Sequence, residues 1–265
     1  MKRAYEDAVV VVSGASTGLG RAIAVGAAEQ GARAVVINFA SSAAEAEITA
    51  DRVGEAGGRP LLVQGNVGSD EDCRRIVAAA EPFGRVDALF NNAGVSRAVA
   101  HGDLEELSEE DFLRIYRVNV IGAFQMVRAA RALLEASDRA AVVNSSAVGG
   151  VNGGGSSIAY AASKGALNTM TKSLAMALAP KIRVNAICPG FIDSPWFDRL
   201  GVPGGSARLR EQVRKVTPLR RAASGEDIAD TALFFGSDAA RHVTGELLVI
   251  DGGLNLSWAP PPNDE

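Results

Sequence analysis

The sequence predicts an α/β fold in which one doubly wound, mostly parallel sheet of about seven strands carries helices on both faces. Three observations lead to this prediction. Short β-branched runs alternate with alanine-rich, helix-like stretches. The first predicted strand runs into a glycine-rich turn and then a helix. Neither an internal repeat nor a linker divides the 265 residues, so we expect a single domain.

The strands are predicted from short apolar runs, which suit strands buried on both faces of a parallel sheet. They span residues 9–12, 34–39, 61–63, 86–90, 140–145, 182–187 and 243–250. The helices are predicted from apolar residues at helical spacing and from serine N-caps such as Ser69 and Ser108. They span residues 21–30, 42–56, 69–83, 108–135, 159–178 and 224–235, with a break expected near Gly122.

Two segments lack a clear pattern. Residues 194–217 are interrupted by Gly201 and Pro203, and a disordered surface loop is one interpretation. We favour a partly helical substrate lid, because the segment follows a strand end, where ligands of α/β proteins bind. The proline-rich tail, about residues 258–265, is expected to be flexible.

Composition and charge indicate a soluble globular protein. Hydrophobic residues make up 47% of the chain, the net charge is −4, and no basic stripe occurs, so neither nucleic acid nor membrane is an expected partner. No apolar run approaches the roughly 20 residues of a membrane span, and no signal peptide is recognisable. The two cysteines and two histidines form no disulfide framework or ligand motif, so no metal is expected. A cytoplasmic location is the resulting expectation.

A glycine-rich turn follows the first predicted strand. Gly14, Gly18 and Gly20 form the pattern GxxxGxG between that strand and a helix. Glycines let the backbone turn sharply and approach a pyrophosphate, and the helix N-terminus supplies N–H groups and a positive dipole. The turn therefore predicts a dinucleotide site, with a βα turn that binds no ligand as the alternative.

Tyr160 and Lys164 lie four residues apart on a predicted helix, which places both side chains on one face. A tyrosine hydroxyl ordinarily has a pKa of about 10. A nearby ammonium favours the phenolate and lowers that pKa, which would let the pair exchange a proton with a substrate oxygen near neutral pH. Taken alone, an ordinary pair on a helix surface explains the pattern better, and the remaining motifs decide against that explanation.

Several further motifs occur in order along the chain. They are SGASTGLG at residues 13–20, NNAG at 91–94, RVNVIGAF at 117–124, NSS at 144–146, YAASK at 160–164 and PGFIDS at 189–194. With these motifs, residues 9–253 resemble the short-chain dehydrogenase/reductase family, and in particular its 3-oxoacyl-[acyl-carrier-protein] reductases. Ser13 and Ser194 stand where the family usually has threonine, and Asn66 stands where it usually has aspartate.

The resemblance implies a Rossmann-type site for NADP or NAD. The residues expected to bind the cofactor, together with Tyr160 and Lys164, are Ser13, Gly14, Ser16, Thr17, Gly18, Leu19, Gly20, Asn38, Phe39, Ser41, Asn66, Val67, Asn92, Ala93, Gly94, Pro189, Gly190, Ile192 and Ser194. Among them, the NNAG segment is also expected to tie the central strands together.

The resemblance also implies that the protein interconverts a carbonyl and a secondary alcohol by hydride transfer. Tyr160 is expected to transfer the proton, and Lys164 to lower the pKa of Tyr160 and bind the nicotinamide ribose. Ser146 is expected to bind the substrate oxygen, with Ser145 as its competitor. Asn119 is expected to hold a water that links Lys164 to solvent.

The substrate is left open at this point. A 3-oxoacyl thioester is one candidate, and a sugar, a steroid or another small secondary alcohol is the alternative. A hypothesis from another class is a non-catalytic protein that senses NAD(P), against which the presence of both Tyr160 and Lys164 counts. His101 is expected to lie at the surface rather than to contact substrate.

The end of the second predicted strand favours NADP over NAD. NAD enzymes of this fold usually place an acid there for the adenosine ribose, and this chain has none. Asn38, Ser41 and Ser42 are expected to donate to the 2′-phosphate. No arginine stands there, and Thr17 occupies a position that is often basic in NADP-preferring relatives, so the preference should be modest. An acid at Phe39 is expected to reverse it.

The resemblance finally implies a homotetramer or a homodimer. Family members commonly pair the two long helices that correspond here to residues 108–135 and 159–178. Both stretches are rich in alanine, which permits close packing.

Overall fold

The computed structural model describes residues 4–256, and the tail predicted to be flexible lies outside them. Seven strands of this part of the chain form one sheet: β1 Val9–Val12, β2 Ala34–Phe39, β3 Arg59–Gln64, β4 Ala88–Asn91, β5 Ala141–Ser145, β6 Arg183–Pro189 and β7 Leu247–Ile250. Their order is β3-β2-β1-β4-β5-β6-β7, and every neighbouring pair is parallel. The predicted doubly wound sheet is confirmed.

Helices cover both faces of this sheet. The α-helices between residues 4 and 256 are α1 Gly18–Glu29, α2 Ala43–Glu55, α3 Asp70–Ala78, α4 Glu109–Tyr116, α5 Ala123–Glu135, α6 Gly149–Asn152, α7 Ile158–Leu178, α8 Trp196–Arg199, α9 Gly205–Val216 and α10 Gly225–Gly236. Val10 and Val12 of β1 pack against the face that carries α1, α2 and α10. Val9 and Val11 pack against α3, α5 and α7, because successive strand residues point to opposite faces.

Several element ends differ from the prediction, and three of them have a clear local reason. Helix α1 begins at Gly18 rather than at residue 21, so the second half of the glycine turn forms its first turn. The helix predicted to reach residue 83 ends at Ala78, and Pro82, which cannot donate a backbone hydrogen bond, lies in a following 3₁₀ turn. The last strand begins only at Leu247, because Gly245 turns the chain with φ +79°.

The long helix predicted from Ser108 is interrupted near Gly122, as expected. The interruption is a π-helical segment, Arg117–Gly122, between α4 and α5. A Cβ atom on Gly122 would lie 2.8 Å from Cγ2 of Val67, so only glycine permits so close a crossing. Asn119, in the middle of this segment, is buried.

Residues 194–217 are partly helical, as predicted, and contain α8 and α9. Ser206, near the start of α9, connects this helix to the beginning of the segment and to α8. Its backbone N–H donates to Asp198 at 2.9 Å, and its hydroxyl donates to the backbone oxygen of Ser194 at 2.7 Å. The segment therefore has its own hydrogen-bonded framework.

No helix within residues 4–256 is both long and apolar enough to cross a membrane. The same residues contain no group of histidine, cysteine and acidic side chains placed to bind a metal ion. Cys73 and Cys188 are unpaired and buried. Burial raises the pKa of both thiols, which disfavours the reactive thiolate at neutral pH.

Candidate active site

A cleft of about 480 Å³ opens at the carboxyl ends of the strands, beside the reversal of strand order between β1 and β4. The predicted site residues that line it are Gly14, Ser16, Thr17, Gly18, Leu19, Asn38, Phe39, Ser41, Asn66, Val67, Asn92, Ala93, Gly94, Ser146, Tyr160, Lys164, Pro189, Gly190, Ile192 and Ser194. Three predicted residues, Ser13, Gly20 and Asn119, are not part of the lining. The tertiary structure thus brings almost all of the sequence motifs to one place.

The glycine turn is built so that the backbone comes close to its neighbours. Gly14 and Gly18 have φ values of +62° and +55°, a region that favours glycine. A Cβ atom on Gly20 would lie 2.3 Å from the backbone oxygen of Gly14 and 2.5 Å from Nδ2 of Asn92. Gly20 therefore supports the turn from behind rather than facing a ligand.

Ser13 also acts from behind the lining, which corrects the expectation that it binds the cofactor. Its side chain is buried, and its hydroxyl oxygen accepts hydrogen bonds from the backbone N–H groups of Asn92 at 3.0 Å and Ala93 at 3.1 Å. The Asn92 amide in turn donates to the backbone oxygen of Gly14 at 2.9 Å. Ser13 thus fixes the glycine turn against the NNAG segment.

The NNAG segment joins the central strands to α7. Asn91 at the end of β4 donates to the Asn144 side chain in β5 at 2.9 Å, and Asn144 donates to Thr171 of α7 at 2.9 Å. All three side chains are buried. This chain of hydrogen bonds sets the position of α7, the helix that carries Tyr160, relative to the sheet.

Asn38 is a structural residue, which corrects its expected role as a donor to the 2′-phosphate. The side chain is 1% exposed. Its oxygen accepts from the backbone N–H of Gly14 at 3.2 Å, and its amide nitrogen donates to the backbone oxygens of Gly65 at 2.9 Å and Val63 at 3.2 Å. Both amide hydrogens are used, so Ser41 and Ser42 are left as the side-chain donors of this strand end.

Asn66 and Val67 lie after β3 at the edge of the cleft. The Asn66 side chain accepts from the backbone N–H of Gly68 at 2.9 Å, which shapes the local turn. Val67 is buried beneath Gly122. Both residues belong to the lining of the cleft.

Tyr160 and Lys164 lie on the face of α7 that borders the cleft. Ser157 caps this helix by accepting from the Tyr160 N–H at 3.3 Å. The Lys164 Nζ atom is 5.6 Å from the centre of the Tyr160 ring and donates to the backbone oxygen of Ser145 at 2.7 Å. The pair therefore faces the same space as the glycine turn.

Desolvation controls the pKa of both groups. Burial lowers the pKa of Lys164 from 10.5 to about 8, with a small opposing effect of Cys188. Burial raises the pKa of Tyr160, the opposite direction to the lowering that was expected from the ammonium. The expectation about the Tyr160 pKa is corrected for the protein alone: the phenol is protonated at neutral pH.

Ser145, the last residue of β5, and Ser146, which follows it, both line the cleft and both contact Lys164. The Ser146 hydroxyl donates to the backbone oxygen of Lys164 at 3.2 Å. Ser145 contributes its backbone oxygen to the Lys164 ammonium. The two serines thus use different groups, a hydroxyl and a carbonyl.

The Asn119 side chain holds two other segments in place. It donates to the Val95 backbone oxygen and to the Ser163 hydroxyl, each at 3.0 Å, and it accepts from the Val95 N–H at 2.8 Å. Both amide hydrogens are therefore used. Asn119 connects the loop after NNAG to α7, one residue before Lys164.

Other cleft residues were not identified from the sequence. The Trp196 ring lies 6.3 Å from the Tyr160 ring, and Phe197 stacks on Phe191 at 5.2 Å. Arg114 and Arg199 also line the cleft. The position of the 194–217 segment after a strand end was the only available signal for Trp196, Phe197 and Arg199.

His101 is exposed and lies outside the lining of the cleft. Its Nε2 atom is 3.1 Å from the backbone oxygen of Gly153.

The residues of the cleft fit a dinucleotide. The backbone of the glycine turn is open toward the cleft at the N-terminus of α1, where helix N–H groups favour an anion. A Cβ atom on Gly18 would lie 3.4 Å from Cβ of Ser194. Only a narrow gap therefore separates the glycine turn from Ser194 on the opposite side of the cleft. The charged side chains in the lining are Arg114, Lys164 and Arg199, all cationic.

Comparisons with known proteins agree with this geometry. A family model described as enoyl-(acyl carrier protein) reductase matches residues 14–255. A Streptomyces violaceoruber protein provisionally named ketoacyl reductase 2 of the granaticin polyketide synthase is 40% identical over 254 residues, which cover 96% of this chain and 98% of that protein. The 3-oxoacyl-[acyl-carrier-protein] reductase of Staphylococcus aureus N315 is 33% identical over 248 residues, 93% of this chain and 97% of that protein.

A solved structure is also similar to this chain, both in fold and in sequence. The crystal structure from Burkholderia xenovorans, provisionally assigned as a short-chain dehydrogenase/reductase, has a TM-score of 0.87 and 38% sequence identity. The match covers 94% of this chain and 98% of that chain.

Proposed function

The chain belongs to the short-chain dehydrogenase/reductase family, and we propose that this oxidoreductase reduces a ketone to a secondary alcohol with NADPH. One observation carries the proposal: Tyr160 and Lys164 lie on the face of α7 that lines the same cleft as the glycine turn and Ser146. The cofactor supplies the hydride when it is bound. The proposed substrate class is a 3-oxoacyl thioester, because one relative is named as a ketoacyl reductase and another as a 3-oxoacyl-[acyl-carrier-protein] reductase.

Tyr160 donates the proton to the oxygen that becomes the alcohol. Its raised pKa keeps the phenol protonated at neutral pH, the form that an acid needs in the direction of reduction. Lys164 is an ammonium below its pKa of about 8 and stabilises the negative charge that develops on Tyr160 as the proton leaves.

Ser146 holds the substrate oxygen by a hydrogen bond that strengthens as charge develops there. Asn119 acts without touching the substrate. Because its side chain binds Val95 and Ser163, it fixes the distance between the wall of the cleft and the part of α7 that carries Lys164. The water that links Lys164 to solvent would be held by groups other than the Asn119 amide hydrogens.

A substrate screen tests the proposal. The purified protein would be given NADPH or NADH with acetoacetyl-CoA, crotonyl-CoA, a sugar, a steroid ketone and an aromatic ketone, while cofactor oxidation is recorded. We expect acetoacetyl-CoA to be reduced and crotonyl-CoA to be left unchanged, because the proposed reaction delivers the hydride to a ketone carbon while Tyr160 protonates the ketone oxygen, and crotonyl-CoA has no ketone.

Each other outcome identifies an alternative. Faster turnover of crotonyl-CoA would favour enoyl reduction, the activity in the description of the matching family model. Turnover of the sugar or the steroid ketone alone would favour a dehydrogenase of small secondary alcohols. Cofactor binding without turnover of any compound would support a sensing protein.

We expect NADPH to exceed NADH by about tenfold in kcat/KM, or about 1.4 kcal/mol. The burial of the two positions makes Ala40, rather than Phe39, the suitable position for an introduced acid that tests this preference. Phe39 is 8% exposed and packs in the core, so an acid there would bury a carboxylate, whereas Ala40 is exposed in the cleft lining. Ala40→Asp should lower kcat/KM for NADPH at least tenfold relative to NADH, and Ala40→Asn should not. A wild type that prefers NADH tenfold would contradict the prediction.

The two serines can be separated by single substitutions. Ser146→Ala is expected to lower kcat by about 100-fold, because the hydroxyl that holds the developing oxyanion is lost. Ser145→Ala should have a much smaller effect, since alanine keeps the backbone oxygen that binds Lys164. Steady-state kinetics on both variants decide the assignment, and the reverse ranking would transfer the role to Ser145.

We propose a homotetramer as the form in solution. Leu113 on α4, Ile121 in the π-helical segment and Phe124 on α5 are exposed by 56%, 50% and 43%, an apolar surface on the helices that family members pair. These side chains are exposed in a single chain, and contact between copies in the oligomer would bury them. Light scattering at micromolar concentration should give four times the chain mass of 27.4 kDa, and a monomeric mass would refute the proposal.

A further inference from the structure

Arg199 extends from α8 across the mouth of the cleft toward the glycine turn. Its Nη1 atom lies 3.4 Å from the hydroxyl oxygen of Thr17, a residue 182 positions earlier in the chain. The side chain is exposed and belongs to the lining of the cleft. It is thus a cation that connects the 194–217 segment to the turn expected to hold the cofactor.

The Arg199 guanidinium has no carboxylate partner among residues 4–256. Two other arginines of this region differ: Arg210 pairs with Asp193 at 2.6 Å, and Arg221 pairs with Asp227. A third, Arg21, pairs with Glu45 at 2.5 Å beneath the glycine turn. Arg199 is therefore available to an anion that enters the cleft.

The charge of the cleft is opposite to the charge of the chain. The chain carries a net charge of −4. The described cleft lining nevertheless contains three cations, Arg114, Lys164 and Arg199, and neither an aspartate nor a glutamate. With the N-terminus of α1 opening onto the same space, the field there favours a ligand with several negative charges.

We propose that Arg199 binds a phosphate group of the cofactor and thereby ties the 194–217 segment to the glycine turn. The inference rests on the proposed NADPH-dependent function. A guanidinium can bond two phosphate oxygens at once, so it supplies the strong phosphate partner that neither Thr17 nor the end of β2 provides. The phosphate is either the 2′-phosphate of the adenosine ribose or the pyrophosphate, and the two are chemically alike for an arginine.

Binding at Arg199 also affects the substrate side of the cleft. Arg199 and Trp196 are the two ends of the four-residue helix α8, and Trp196 lies beside Tyr160. A phosphate held by Arg199 therefore fixes the same short helix that places an aromatic wall next to the proton donor. The cofactor would complete the substrate site, which implies that it binds before the substrate.

Direct binding measurements on Arg199→Gln test the proposal without any need for turnover. Calorimetric titrations would use NADPH, NADH, 2′,5′-ADP, which lacks the pyrophosphate, and ADP, which lacks the 2′-phosphate. We expect the variant to lose about tenfold in affinity for NADPH, because a charge-assisted hydrogen bond is removed. Arg208→Gln, an exposed arginine of α9 outside the cleft lining, is the matched control and should bind all four compounds like the wild type.

The fragments separate the two phosphates. A loss confined to NADPH and 2′,5′-ADP assigns Arg199 to the 2′-phosphate, and a loss shared by NADPH, NADH and ADP assigns it to the pyrophosphate. Arg199→Lys keeps the positive charge but lacks the planar guanidinium that can bond two phosphate oxygens at once. It should therefore recover part of the affinity. Unchanged affinity of Arg199→Gln for all four compounds would overturn the proposal, whatever substrate the enzyme proves to use.

Discussion

Tyr160→Phe is expected to lower kcat for ketone reduction on the order of 100- to 10,000-fold, the usual contribution of a positioned acid. The substitution removes only the phenol oxygen. The ring remains beside Trp196 and close to the Lys164 ammonium, so the shape of the cleft is retained. The dissociation constant of NADPH should therefore change by less than about threefold, because the turn that holds the phosphates is untouched.

A second tyrosine provides the control for this experiment. Tyr116→Phe removes the same oxygen from a partly buried position on α4 that is outside the cleft lining, and it should leave kcat unchanged. Steady-state kinetics and calorimetric NADPH titration on both variants give the comparison. Activity of Tyr160→Phe within threefold of the wild type would remove this residue from the mechanism.

The sequence predicted the fold and most of the site because both depend on local patterns. Strand β2 was predicted to the residue, since a run that is apolar except for Asn38 suits a strand buried on both faces. The break near Gly122 was predicted from a single glycine in a long helix, and it is a π-helical segment. The motifs around Tyr160 and the glycine turn converge because parallel strands present their carboxyl ends at one edge.

The remaining contacts depend on residues far apart in the chain. Asn38 appeared to be a phosphate donor because it stands at a strand end, but its partner oxygens at Val63 and Gly65 lie on the neighbouring strand β3 and in the loop after it. The Ser13 hydroxyl has its partners 79 and 80 residues away, at Asn92 and Ala93. No periodicity or short motif indicates such pairs, which arise from the packing of the sheet.

Burial of Lys164 leads to the last prediction: Lys164→Met should stabilise the protein at neutral pH while it abolishes most of the activity. Lys164 is 4% exposed, and its pKa falls from 10.5 to about 8 because the ammonium is desolvated. A shift of that size corresponds to about 3 kcal/mol at pH values where the ammonium must be buried. Methionine has a similar length and carries no charge.

The variant also loses a favourable contact. The Ser145 backbone oxygen would lose its donor, which costs about 1–2 kcal/mol. We therefore expect a net stabilisation of about 1–2 kcal/mol at pH 7, or a rise in Tm of about 2–6 °C. The kcat should fall at least about 100-fold, because no cation remains to stabilise negative charge on Tyr160.

The sign of the pH dependence distinguishes this effect from a general change in packing. Between pH 8 and 10.5 the unfolded chain keeps the Lys164 proton that the folded protein releases, so the stability contributed by Lys164 rises with pH across this window. The advantage of Lys164→Met should therefore shrink as the pH is raised from 8 to 10.5. Lys172→Met, at an exposed position on the same helix, is the control for the removal of a lysine charge. A lower Tm for Lys164→Met than for the wild type at pH 7 would mean that the ammonium is better solvated in its site than its burial implies.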